Sequence, residues 1–237
     1  MNKKKGLNTE KTFALALQNL QKNNLQVAEN LYKEVLKTNP NHFESIFFLG
    51  TLSIQTKNFN IATQLLNKAI QIQPNHADAH NNLGTVLQEL GEYQKAISCY
   101  EKAIQIQPNH AAAHYNLGKL FKSSGEYKKT ISYYQKAIQI NPNYAEAHNN
   151  LGLVFFELGK FQKAISCYEK AIQINPNYAG AYNNLGNVLQ VKVLGEREKA
   201  MSCYKKAIQI QPNHANAHWC LHSFAPDIDE ALKILKK

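Results

Sequence analysis

Proline recurs along this chain with a period that leaves few folds open. Pro40, Pro74, Pro108, Pro142 and Pro176 stand 34 residues apart, and Pro212 follows after 36. Proline stops helices and opens turns, so a period of this length marks one supersecondary unit repeated along the chain. Aligned on the prolines, Leu49-Gly50, Leu83-Gly84, Leu117-Gly118, Leu151-Gly152 and Leu185-Gly186 fall into register. So do Tyr100, Tyr134, Tyr168 and Tyr204, and the small Ala69, Ala103, Ala137, Ala171 and Ala207.

Each unit divides into two helices. In the third, Asn75 is placed to cap a helix, with Asp78 three residues on to complete a capping box. His80, Leu83, Gly84, Leu87 and Leu90 then recur at helical spacing, and Gly91 ends the helix by taking a left-handed conformation. A second helix carries Tyr93, Ala96, Ile97, Tyr100, Ala103 and Ile104 at three-and-four spacing, and Pro108 closes it. Gly84 and Ala103 fall where the two helices must approach closely. One such hairpin cannot bury its apolar face alone, so stacking on neighbours is obligatory and the expected fold is an all-α solenoid.

These landmarks resemble the tetratricopeptide repeat family: an aromatic, Leu-Gly, an aromatic, Ala, an aromatic, Ala and Pro over 34 residues, met in six units from about Thr9 to His214. The resemblance implies a right-handed α-solenoid of antiparallel helix pairs. On it, residues 1–8 form a basic N-terminal tail, and six units span 9–42, 43–76, 77–110, 111–144, 145–178 and 179–214. Residues 215–237 form a partial seventh unit or capping helices. Some positions depart from the family pattern. His80, His114, His148 and Tyr182 stand for the leading tryptophan, Ala16 for the first glycine and Thr130 for an alanine. The sixth unit has two extra residues around Val191-Lys192-Val193, and Arg197 stands where Tyr93, Tyr127 and Phe161 do elsewhere. A longer first helix or a bulged turn is expected there, with a local change of pitch. In the seventh unit His222 replaces the glycine and Pro226 halts the helix. Asp227 is placed to cap a last helix through Ala231, Leu232, Ile234 and Leu235. The helical pattern still runs at Lys237, which leaves open that these 237 residues are the front of a longer protein.

The residues also bound the chemistry. Net charge is +10 and the pI about 9.3, which favours acidic partners in general. Nearly all of it is lysine. Arg197 is the one arginine, and arginine is the usual reader of guanine edges and phosphates, which argues against nucleic acid. Three of the four cysteines, Cys99, Cys167 and Cys203, hold one repeat position; the fourth is Cys220. Stacked helices lie ~8–10 Å apart, beyond the ~7 Å that a disulfide spans between Cα atoms. A reducing compartment follows. After the basic Met1–Lys5 start, Gln18, Asn19, Gln21 and Lys22 interrupt any apolar run. No stretch approaches the ~20 apolar residues of a membrane helix, and the expected location is cytoplasmic.

Binding rather than catalysis is the expected function. Ser98, Ser132, Ser166 and Ser202 repeat without an arranged base and acid, so no catalytic residue and no cofactor are assigned. The pairs His76/His80, His110/His114 and His214/His218 have metal-ligand spacing. Tyr144 and Tyr178 at equivalent places point instead to packing, and no metal site is assigned. Lysines 95, 129, 163 and 199, with 102, 136, 170 and 206, trace a row read as a solvated outer face, with acidic-surface docking as the sharper alternative.

The candidate ligand residues are Asn82, Asn116, Asn150 and Asn184, one in each of four first helices, immediately before Leu-Gly. An amide donates and accepts, so it can pair with any extended backbone. The array of O-linked N-acetylglucosamine transferase, which this chain resembles here, has an asparagine ladder at the matching positions, and in this family first helices line a concave face that holds peptide. The other reading is that these asparagines brace a neighbouring turn. Asn81, Asn149 and Asn183 would extend the polar strip, and Lys119 and Lys122 would favour acidic peptides. The partner expected is thus a protein or peptide in the groove. The alternative is that the array recruits substrate for a downstream glycosyl-, sulfo- or methyltransferase domain of the same polypeptide.

Overall fold

In each repeat the proline takes the second place of a four-residue turn, where its fixed φ fits. The His76 N–H donates to the Gln73 carbonyl at 3.3 Å, His110 to Gln107 at 3.0 Å and Tyr144 to Asn141 at 3.1 Å. The turn's last residue then has the extended backbone of an N-cap, φ −96° and ψ 101° at His76. Its ring does the capping: His76 Nδ1 accepts the Ala79 N–H at 3.2 Å. His42, His110 and His214 cap Ser45, Ala113 and Ala217 in the same way. This corrects the expected Asn75–Asp78 capping box. Asn75 is held inside the turn, one residue too early, and the Asp78 carboxylate instead accepts from His110 Nε2 at 3.0 Å.

The computed structural model describes residues 2–191 and 196–223. Those residues contain α-helices and no strand. They are α1 (Asn2–Gln21), α2 (Leu25–Thr38), α3 (Phe43–Gln55), α4 (Phe59–Ile72), α5 (Ala77–Glu89), α6 (Tyr93–Ile106), α7 (Ala111–Ser123), α8 (Tyr127–Ile140), α9 (Ala145–Glu157), α10 (Phe161–Ile174), α11 (Ala179–Leu189), α12 (Arg197–Ile210) and α13 (Ala215–His222). Helix α1 runs back through residues 2–8, the stretch read from sequence as a basic tail. The chain forms two units, Met1–Leu120 and Phe121–Lys237, with the boundary inside α7. Each is a stack of antiparallel helix pairs, the all-α solenoid the period requires.

Within both units the second helices bury residues spaced four and then three apart. These are Ala62, Leu66 and Ala69 in α4, Ala96, Tyr100 and Ala103 in α6, Ala164, Tyr168 and Ala171 in α10, and Ala200, Tyr204 and Ala207 in α12. The first helix meets that face with its glycine. A Cβ at Gly84 would stand 2.7 Å from Tyr100 Cε1, at Gly152 2.8 Å from Tyr168 Cε1, and at Gly186 2.6 Å from Tyr204 Cε1. Nothing larger than hydrogen fits beneath those rings. In the first hairpin, Ala16 takes the glycine's place and packs in one cluster with Ala28, Tyr32 and Leu49. The glycine after the first helix serves backbone geometry instead: Gly91, Gly125 and Gly159 have φ of +78°, +76° and +69°.

Of the two forms expected for the sixth repeat, a longer first helix or a bulged turn, the structure excludes the first. Helix α11 has 11 residues where α9 has 13, so the first helix is shorter rather than longer. Gln190 closes it and Val191 bends away. The remainder of the inserted turn, and the last helix expected after Pro226, lie outside the described residues.

Placing a branched side chain under a ring should cost stability. Gly152→Val is expected to lower the urea unfolding free energy by about 1–3 kcal/mol, because overpacking must displace the Tyr168 ring. Tyr168→Ala, which leaves a void, should lower it by about 3–5 kcal/mol.

Candidate functional site

Two adjacent asparagines in a first helix point about 100° apart around its axis, and the structure gives them different places. Asn81, Asn149 and Asn183 are 8%, 6% and 4% exposed, whereas Asn82, Asn116, Asn150 and Asn184 are half-buried. The buried member donates to its neighbour: Asn81 Nδ2 to Asn82 Oδ1 at 3.3 Å, Asn149 Nδ2 to Asn150 Oδ1 at 3.1 Å, and Asn183 Nδ2 to Asn184 Oδ1 at 3.5 Å. In Asn81 and Asn149 its oxygen serves the next repeat. Asn116 Nδ2 donates to Asn81 Oδ1 at 3.0 Å in the first unit, and Asn184 Nδ2 to Asn149 Oδ1 at 3.0 Å in the second. At the start of the first-unit run, Asn82 Nδ2 donates to Thr51 Oγ1 at 3.0 Å.

The asparagines therefore tie first helix to first helix in both units. Asn81, Asn149 and Asn183, read as a continuation of the polar strip, lie beneath it, and the first two are braces between helices. An amide has two N–H donors and an oxygen that accepts twice. The bridge uses one N–H of Asn116 and one of Asn184, and further capacity remains on each.

The lysines of the strip differ. Lys119 is exposed, its Nζ 5.9 Å from the centroid of the Tyr115 ring. Lys122 is half-buried and paired with Glu157 at 3.0 Å, which offsets its charge locally. On the second helices the lysine rows make short-range contacts along their own helix. Lys95, Lys129 and Lys199 pair with Glu92, Glu126 and Glu196, and Lys102, Lys136, Lys170 and Lys206 reach the glutamines three residues on.

The histidine pairs have backbone work. The first of each caps its helix. The second donates from Nε2 to the proline carbonyl of the preceding turn: His80 to Pro74 at 2.9 Å, His114 to Pro108 at 3.0 Å and His218 to Pro212 at 2.7 Å. His148 does the same to Pro142 at 3.1 Å. Sequence reasoning missed this role, although the six-residue Pro-to-His interval repeats four times. The cysteines are free. Burial pushes the Cys167 and Cys203 thiols up to about 11, so they are protonated at neutral pH.

Comparison with known proteins follows this geometry. Tetratricopeptide repeat models match residues 75–142, 145–178 and 167–201. A model of anaphase-promoting complex, cyclosome, subunit 3 matches residues 18–103. A crystal structure of MamA is 30% identical, covering 70% of this chain and 96% of its own, with a TM-score of 0.60. The chain belongs to the tetratricopeptide repeat family. Another tetratricopeptide protein, YrrB, described as having an unusual peptide-binding site, is 25% identical over 78% of this chain and 95% of its own, with a TM-score of 0.58. PilF of Pseudomonas aeruginosa, 18% identical over 91% of this chain and 97% of its own, shares the tetratricopeptide fold at a TM-score of 0.78. The search of curated protein sequences gave no match. Among the described residues of this tetratricopeptide chain, no helix is long and apolar enough to cross a membrane.

Two measurements check the roles assigned here. Asn81→Ala should lower the unfolding free energy by about 1–3 kcal/mol, since it strands the Asn116 N–H and a buried amide's partners. Alanine at the exposed Glu89 should leave it nearly unchanged. The second concerns pH. Burial is the main cause holding the His148 imidazole below its ordinary pKa, with Lys170 adding to it and the Pro142 carbonyl opposing. The unfolded chain then binds the proton first, so His148 contributes stability above ~6.5 that is lost as pH falls through that value and below. His148→Tyr, the residue that Tyr182 supplies in the next repeat, should flatten the drop in Tm between neutral and mildly acid pH.

Proposed function

We propose that this chain is a non-catalytic protein-interaction scaffold whose first helices hold an extended polypeptide through asparagine amides. The observation that carries the reading is the bridge repeated in both units, Asn116 to Asn81 and Asn184 to Asn149, each 3.0 Å. A braced amide cannot swing freely, so its remaining donor and acceptor are held in one orientation before a ligand arrives, which lowers the ordering cost of binding. Repeats ~9–10 Å apart match about three residues of extended chain at ~3.3 Å each. Within each unit, one amide per repeat would then meet the ligand backbone at every third residue, with little demand on its sequence. YrrB, similar in sequence and fold, is described as having an unusual peptide-binding site, which supports peptide binding by this chain.

On this reading the ligand is a protein or peptide segment without strong sequence requirement. Lys119 and the +10 net charge favour acidic residues in it. Lys122 contributes less, being paired with Glu157.

Titration calorimetry with a set of extended peptides tests the proposal. Asn82→Ala/Asn116→Ala and Asn150→Ala/Asn184→Ala each remove two contacts of about 0.5–1.5 kcal/mol. Each should weaken binding by roughly five- to a hundredfold, with circular dichroism confirming an intact fold. Undiminished affinity in both double variants would reject the asparagines as ligand contacts.

A further inference from the structure

The asparagine pattern breaks at one place in the second unit, and a cavity lies there. Asn81 and Asn149 each accept an N–H from the asparagine 35 residues on. With the two-residue insertion, the corresponding partner of Asn183 is residue 220, which is cysteine. Asn183 has the same orientation as its counterparts, because its Nδ2 also donates to the next asparagine. Its Oδ1 therefore faces the place where an amide would stand. That oxygen is buried and has no hydrogen-bond partner among the described residues. The shorter cysteine does not reach it; Cys220 Sγ lies 3.5 Å from Asn187 Oδ1 instead.

Beside Cys220 is a cavity of about 490 Å³ on the first-helix face, between α9, α11 and α13. Its apolar walls are Phe156, Val191, Trp219 and Cys220. Trp219, the sole tryptophan of the chain, is 75% exposed. The polar lining is three neutral amides, Asn187, Gln190 and Asn216. Two of these are oriented by one hydroxyl: Tyr204 Oη lies 2.9 Å from Asn187 Oδ1 and 2.7 Å from Gln190 Oε1. The hydroxyl has a single hydrogen and donates to one of the two amides at a time, which leaves donor and acceptor capacity on both for a ligand backbone. Among the described residues, no charged side chain lines the cavity.

The geometry points to an anchor pocket for a bulky uncharged side chain, phenylalanine-like in size, carried on the extended peptide that the asparagines hold. This rests on the scaffold reading above and adds a specificity the asparagines themselves cannot supply. The volume exceeds that of one aromatic side chain and falls within the usual range of ligand pockets. The neutral lining favours an uncharged group even on a strongly basic protein, since a charge here would lose water without gaining a partner. The adjoining amides continue the backbone-pairing chemistry of Asn150 and Asn184.

Trp219 makes the test direct, because its fluorescence reports from the pocket wall alone. The probes are N-acetyl-phenylalaninamide, an alanine–serine dodecapeptide, and the same peptide with one central phenylalanine. The proposal expects a saturable blue shift of Trp219 emission with the small amide. It also expects the phenylalanine peptide to bind about tenfold or more tighter than its parent. Phe156→Ser, which removes an apolar wall, should abolish both effects, and Cys220→Asn, which puts an amide in place of the thiol, should weaken both. The parent peptide should bind these variants as it binds the unaltered chain. No shift with the small amide, or equal affinity for the two peptides, would overturn the pocket. A shift produced by N-acetylglucosamine and not by the phenylalanine amide would overturn it in favour of a sugar site. If the small amide binds but the double asparagine variants hold both peptides undiminished, the pocket stands and the asparagine reading falls.

Discussion

A tyrosine ring lies on a glycine in the hairpins built around Gly84, Gly152 and Gly186, and the spacing of the two helices follows from that contact. The ring edge comes so close that a methyl group would collide with it. Tyr100, Tyr168 and Tyr204 are consequently buried to the last atoms of the ring, and their hydroxyls emerge near the opposite helix. There Tyr100 reaches Gln88 Oε1 at 3.1 Å, and Tyr204 reaches Asn187 and Gln190. Burial raises the Tyr100 hydroxyl to about 12, so it stays protonated and donates at any physiological pH. The residue that sets the packing distance thus also orients amides on the first helix.

Much of the fold was legible because it depends on periodic quantities. Proline spacing, Leu-Gly and the tyrosine-alanine interval each recur, and only hairpins stacked on one another bury such a pattern. The capping residue was not legible. Asparagine is the stronger N-cap by propensity, yet Pro74 fixes a turn that consumes Asn75, and the extended backbone falls on His76. A histidine there works only with Nδ1 unprotonated, since it must accept an N–H. At His110 both ring nitrogens are committed, Nδ1 to Ala113 and Nε2 to Asp78. That chemistry lies in three dimensions and leaves no propensity signal.

The asparagine columns were visible, but their division of labour was not. Composition cannot say which of Asn149 and Asn150 turns inward; that depends on how α9 is rolled against α10. Once the roll is known, the inner residue braces the stack and the outer one remains partly in reach of a ligand. Nor was the neighbour of Lys122 visible: a charge counted toward an acidic partner has Glu157 beside it.

In the proposed function, bracing and binding draw on the same amides, and this couples the stack's geometry to the chemistry of its face. An asparagine lost from the column would loosen the joint between two first helices and, in the proposed function, remove a ligand contact as well. A change at such a position is therefore not a neutral drift in a repeat. Cys220 is such a change, and it coincides with an uncapped buried oxygen at Asn183, an exposed tryptophan and an open cavity whose described lining carries no charge. An unpaired buried carbonyl costs on the order of 1–3 kcal/mol. A repeat array could relieve that cost with a single substitution back to the residue found at this position in four other repeats. That the sequence holds cysteine instead is accounted for if the space beside it is used.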